Sequence, residues 1–213
     1  MKLPWIHSSN LELKRLTQSL AVLDAILMPE WEFRYYSFNS MWSEGEEMAS
    51  MRNGSGDHYF ILYLKDDLIA KGFAKESKSG IYCLQNNEPW PMMLSGVPDV
   101  FQESFLKEPA FSMDETSFLY WRLSTDKEWQ TSVDDLAEGD NGARELLQIL
   151  DGNPKTYWQW AKSYYEREIP LETIATVYSG KPLTNQTIKL LNPSLEMNDL
   201  KADLDEIGYG VPD

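Results

Sequence analysis

Residues 46 to 74 read EEMASMRNGSGDHYFILYLKDDLIAKGFA, and this stretch decides the fold class. Glu46 to Met51 has the residue types of a short strand, and Asn53-Gly54-Ser55-Gly56 supplies turn formers. His58 to Leu64 is rich in the aromatic and branched residues that suit a pleated surface. Lys65-Asp66-Asp67 then predicts a tight turn into a further strand from Leu68 to Ala74. Connections of two to six residues cannot carry a parallel crossover, so the strands must pair antiparallel, as a meander.

Upstream, Trp31, Phe33 and Tyr35 alternate with Glu32, Arg34 and Tyr36, which predicts a half-buried strand beginning at Trp31. Before it, Leu13, Leu16, Leu20, Leu23 and Leu27 step by three and four. That spacing predicts a helix from about Asn10 to Met28 with one apolar stripe, opened by a Ser9/Glu12 capping box and closed by Pro29. Downstream, Ile81 to Leu84 is read as an extension of the sheet, Glu88 to Pro98 as loop, and Asp99 to Lys107 as a short helix. Thr116 to Leu123 is the last strand, with Phe118 and Tyr120 on one face and Leu119 and Trp121 on the other. Apolar residues on both faces predict a central strand covered by helices.

Beyond Thr125 the pattern changes. Asp126, Glu128, Asp134, Asp135, Glu138 and Asp140 with Gly139 and Gly142 mark an acidic loop or hinge over 126–142. From 143 to 213 the chain reads as helical: Ala143 to Leu150, then Lys155 to Glu168 behind an Asn153 N-cap and Pro154, then Leu171 to Tyr178, Asn185 to Leu191, and Asn198 to Ile207 stopped by Gly208. Tyr157, Trp158, Trp160, Ala161, Tyr164 and Tyr165 fall on one side of the second of these helices, and such a stripe is expected to pack into the core. The expected fold class is therefore α+β: an antiparallel sheet of about five strands over residues 1–125 packed with an N-terminal helix, followed by an all-helical segment over 143–213 that docks on the sheet as one unit.

The formal charge of −15 argues against a nucleic-acid surface, which needs clustered Lys and Arg, and makes a basic protein partner the easier one to attract. The lone Cys83 forms no intrachain disulfide, and the interrupted apolar pattern from Leu11 to Leu27 fits neither a signal peptide nor a membrane span. A cytoplasmic location, a soluble bacterial-type protein and no membrane partner are the resulting expectations.

Chemistry-bearing residues are sparse. His7 and His58 are the two imidazoles, and neither sits in a nucleophile motif; Asp57 and Ser55 beside His58 point to different faces of an extended chain. Asp134 to Glu145 has the twelve-residue length of a calcium loop, but Leu136 occupies a liganding position. Glu44, Glu46 and Glu47 next to Trp42 are the best local group of carboxylates, and they equally suit the charged guard of a sheet edge. No metal or other cofactor is expected. The one candidate binding loop comprises Arg52, Asn53, Ser55, Asp57 and His58, where Gly54 and Gly56 could let backbone amides approach an anion; the competing reading is a glycine-assisted strand connection. The chain thus reads as a binding protein, immunity- or antitoxin-like, with a basic protein partner. The alternative is a small-ligand-binding protein or hydrolase using carboxylates that converge across the sheet.

Overall fold

The computed structural model describes Ile6, residues 8–133 and residues 140–210. Helix α1 spans Asn10–Leu27, and its start is the expected reciprocal box: the Glu12 amide donates to Ser9 Oγ at 3.3 Å while the Ser9 amide donates to Glu12 Oε2 at 2.8 Å. The leucine stripe of α1 is buried throughout.

Strands β1 (Tyr36–Ser43), β2 (Glu46–Arg52), β3 (His58–Leu64) and β4 (Asp67–Phe73) form the meander. After helix α2 (Lys78–Asn86) and a run of short turns, β5 (Phe118–Arg122) completes a five-stranded antiparallel sheet in the order β1-β2-β3-β4-β5. Register carries Phe38 onto Ala49, Ala49 onto Ile61, Ile61 onto Ala70 and Ala70 onto Tyr120, so these five share one face. Gly72 of β4 must be glycine, because the ring of Phe118 lies 2.0 Å from where a Cβ would stand.

The two faces are covered differently. On the first, Phe38, Ile61, Ala70 and Tyr120 meet α1 and the C-terminal helices α3 (Ala143–Leu147), α4 (Pro154–Tyr165), α5 (Leu171–Tyr178), α6 (Asn185–Leu191) and α7 (Lys201–Ile207) in one apolar cluster. On the second, Met48, Phe60, Leu62, Ile69, Leu119 and Trp121 pack against Met93, Val97, Phe101, Phe105 and Phe111, which arrive on irregular turns rather than on a helix of any length. Both layers are anchored by residues that are almost wholly buried, each contributing on the order of 2 kcal/mol.

Four expectations need correction. Trp31–Phe33 is a 3-10 turn, not a strand: the Phe33 amide bonds Glu30 O and the Arg34 amide bonds Trp31 O, and β1 starts only at Tyr36. The alternation of aromatics there is not a core face, because Trp31 and Phe33 are 58% and 57% exposed. Ile81 to Leu84 lies within α2, whose start is capped by Ser77 accepting from the Gly80 amide; a four-residue apolar run does not distinguish helix from strand. Asp99–Phe101 is a 3-10 turn running into a π-turn at Gln102–Leu106, in place of a regular short helix. Lastly, β5 is an edge strand rather than a central one. Its two apolar faces come from lying between the two clusters, and its outer side is partly occupied by Gln130, which exchanges both backbone hydrogen bonds with Trp121. His7 and the first half of the calcium-loop reading at Asp134 to Glu145, residues 134–139, fall outside the described residues.

No helix among the described residues is long and apolar enough to cross a membrane.

Candidate functional site: an aromatic groove beside strand β1

Arg52 ends β2 and Asn53 opens the glycine loop that leads to β3. The side chain of Asn53 closes that loop: its Oδ1 accepts from the amides of Ser55 (2.9 Å) and Asp57 (3.0 Å), and its Nδ2 donates to Asp57 Oδ2 at 2.7 Å. Asp57 Oδ1 accepts from the Lys75 amide at 2.9 Å, and Lys75 Nζ donates to Ser55 O at 2.6 Å. Gly54 and Gly56 take positive φ (70° and 109°), as a connection this tight requires. Two of the amides that a phosphate cradle would offer to an anion, those of Ser55 and Asp57, are therefore already spent on Asn53, and the geometry is that of a strand connection.

His58 is mostly enclosed, with its ring beside Phe60 and Phe73 at 5.4 and 5.6 Å. Burial, reinforced by the nearby Lys71 ammonium, pushes its imidazole down to about 4, so it is neutral near pH 7. Its Nδ1 lies 3.3 Å from Gly56 O, and its Nε2 is buried, makes no hydrogen bond among the described residues, and lies 3.9 Å from Glu115 Oε2. Lys71 itself is fully buried; its Nζ donates to Ser112 O at 2.9 Å and Glu115 O at 2.7 Å, and desolvation lowers it to about 7. The Lys71 amine ties the 112–115 turn onto the sheet. Among the described residues, no three His, Cys, Asp or Glu side chains gather where they could hold a metal ion.

The structure brings Arg52 and Asn53, but not Ser55, Asp57 or His58, to a groove of about 270 Å³ at the β1–β2 corner. Ser37 and Ser50, cross-strand partners joined by a 2.7 Å hydroxyl hydrogen bond, lie in its lining, and Trp31, Phe33, Tyr35 and Tyr164 are its aromatic walls. A second depression of about 290 Å³ adjoins it, sharing Tyr35 and Asn53 and bounded by Trp160 and Glu145. Tyr35 therefore stands between two hollows, against Trp160 at 5.0 Å and Tyr164 at 4.8 Å, while Trp160 and Tyr164 stack at 5.2 Å with ring planes 9° apart. Each ring supports its neighbour, so the walls are preorganised rather than loose.

Charge in the groove is nearly balanced. The Arg34 guanidinium grips Asp203 with both terminal nitrogens, at 2.5 and 3.0 Å, and also donates to Met28 O and Pro29 O. Arg52 lies with its guanidinium 5.6 Å from the Phe60 ring centre, and Glu32 is the acid of the same lining.

The walls come from two distant parts of the chain, the turn after α1 and helix α4, and both are held by Asp24. This residue is fully buried in the apolar face of α1 between Leu23 and Ala25. Its Oδ2 accepts from the amides of Tyr35 (2.7 Å) and Tyr36 (2.9 Å), and its Oδ1 accepts from the hydroxyls of Tyr157 and Tyr165 (3.0 Å each). Desolvation raises its carboxyl to about 6, against the four hydrogen bonds, which favour the charged form.

Sequence reasoning missed this site for two reasons. Trp31 and Phe33 alternated as a strand would, and the whole aromatic stripe of α4 read as core-facing; in fact Tyr157 and Ala161 are buried while Tyr164 is 44% exposed. The spacing of α1 sets Asp24 with Lys14, Arg15 and Gln18 away from the leucine stripe, whereas the structure buries it completely, because this helix is covered on more than one side over residues 19–27. Compared with protein-family models, with curated proteins and with solved structures, the chain matches none.

Proposed function

We propose that this chain is a non-catalytic recognition protein that binds a basic protein partner, with the aromatic groove beside β1 as its contact point. One observation carries the reading: the exposed rings of Trp31, Phe33 and Tyr164 converge with Tyr35 on a single groove. Exposed apolar side chains scattered singly need no explanation, whereas several Trp, Tyr and Phe rings around one hollow match the anchoring pockets of protein interfaces. The charge argument supplies the partner. A net charge of −15 attracts cationic partners over a Debye length, and Trp and Tyr faces accept the guanidinium or ammonium of such a partner at close range. Long-range steering joined to aromatic anchoring suits a protein that neutralises a basic partner by covering it, as an immunity- or antitoxin-like factor would.

The test is a titration followed by NMR at low and at physiological salt, using a synthetic peptide rich in Arg and Lys and a matched peptide in which Glu replaces them. The expected result is saturable binding of the basic peptide, weakened by salt, with the Trp31 and Trp160 indole signals among those that shift, and loss of at least tenfold in affinity in Trp31→Ala. Equal binding of the acidic peptide, or a Trp31→Ala variant that binds as the parent does, overturns it.

A further inference from the structure

Asp24 is enclosed, apolar neighbours surround it on its helix, and none of its atoms lines the groove. A carboxylate so placed carries a desolvation cost of several kcal/mol, which only its hydrogen bonds offset. Where those bonds go is informative. Oδ2 takes the two amides at the exit of the Trp31–Phe33 turn, where Tyr35 is about to enter the groove; Oδ1 takes two hydroxyls of α4, the helix that delivers Trp160 and Tyr164. Tyr35 meets Trp160 and Tyr164 ring to ring at that junction. Thus one wall hangs from one oxygen and the opposite wall from the other.

We propose that Asp24 is a positioning residue for the groove: its two carboxylate oxygens hold the Tyr35 backbone and helix α4 at the separation at which Tyr35, Trp160 and Tyr164 form a binding surface. The identity of the ligand rests on the reading above, whereas the positioning does not. All four donors point at the carboxylate, which fits an acceptor-only, ionised group. A proton added to Asp24 brings an O–H that has to displace one of them. Among the described residues, the titratable groups that feel the Asp24 charge are tyrosines: Tyr35 and Tyr36 where β1 begins, Tyr59 on β3, Tyr157 and Tyr165 on α4, and Tyr178 on α5. Tyr165, the less buried of the two hydroxyl donors, is the one able to turn away, and it lies against Tyr164 and Trp160 at 5.0 and 5.9 Å. Acidification should therefore reach the groove through α4.

The experiment follows the tryptophan indole signals of the free protein from pH 5 to pH 8, in the parent, Asp24→Asn and Tyr165→Phe, and then repeats the basic-peptide titration in each. The positioning role requires the Trp160 indole to move with an inflection near pH 6 in the parent and to lose that inflection in Asp24→Asn. His7 and His58 remain in the variant, so their titration cannot account for the loss. Peptide affinity should fall about tenfold in Asp24→Asn and about threefold in Tyr165→Phe. Should Asp24→Asn fail to fold, Tyr165→Phe, which removes one hydroxyl only, decides the matter by the same indole shift. A Trp160 signal that titrates identically in the parent and in the variants, or that sits unshifted in folded Asp24→Asn, overturns the proposal. A parent protein that does not bind the peptide overturns the partner reading alone, because the indole signals still decide the positioning role.

Discussion

Two connections in this molecule were conspicuous for opposite reasons, and the contrast between the 53–57 loop and the 31–35 segment separates a folding device from a contact surface. The loop has two glycines, an Asn, a Ser and an Asp, the composition of an anion cradle, yet the Asn53 side chain takes the Ser55 and Asp57 amides internally and donates to Asp57. The 31–35 segment has the composition of a strand, yet it puts Trp31 and Phe33 into solvent and is tied down at its exit, by Arg34 to Asp203 and by the Tyr35 amide to Asp24. Polar groups that satisfy one another leave nothing for a ligand; aromatic rings held outward by a buried anchor leave a good deal.

Substitutions can break this contrast, and the largest effect is expected at its anchor. Asp24→Leu strands two backbone amides and two tyrosine hydroxyls in a dry interior, and unfolding in urea should show a loss of about 4 kcal/mol. Next is a pH effect at the basic pair beyond the closed loop. Lys71 is lowered from 10.5 to about 7 in the fold, so the unfolded chain binds more protons between those values. Its stabilising contribution is complete above pH 10.5 and lost as pH falls through 7; the urea midpoint should therefore rise from pH 7 to pH 9, by on the order of 2 kcal/mol, and Lys71→Met should flatten the rise. Asp24 and His58 act lower and against each other. Asp24, raised from 3.8 to about 6, loses its contribution as pH rises through that window, whereas His58, lowered from 6.5 to about 4, gains its contribution as pH rises between those values.

Within the closed loop, Asp57→Ala removes the acceptor of the Lys75 amide and of Asn53 Nδ2, and should cost about 1 to 2 kcal/mol in the same urea assay while basic-peptide affinity stays within about twofold. Trp31→Ala completes the comparison from the other side: stability within about 0.5 kcal/mol of the parent, because the ring is mostly exposed, but affinity reduced. A binding defect in Asp57→Ala together with a stability defect in Trp31→Ala would reverse the assignment of the two regions.

Strands β2 to β4, helix α1 and the C-terminal helices were legible because each carries its own instruction locally. Ser9 and Glu12 cap α1, Asn153 and Pro154 open α4, and Gly208 stops α7, all within a few residues of the element they define. Where the local signal was short or two-sided, the expectation failed: four apolar residues at Ile81 to Leu84 do not choose between helix and strand, and the two apolar faces of β5 do not say whether a neighbour lies on both edges. Of the five candidate residues of the loop, Arg52 and Asn53 reach the groove and Ser55, Asp57 and His58 do not, since the direction of a side chain at a strand end depends on what covers the corner.

By itself, then, the sequence determined the α+β class, the antiparallel meander and the order of the helices, because periodicity, caps and turn residues act within or beside the element they define. Only the tertiary structure decided that Asp24 meets Tyr157 and Tyr165, 133 and 141 residues away, and that Trp31, Tyr35 and Tyr164 share one groove. The reason is physical: a buried carboxylate finds its donors among whichever groups the packed core presents, and no local pattern along the chain encodes that meeting.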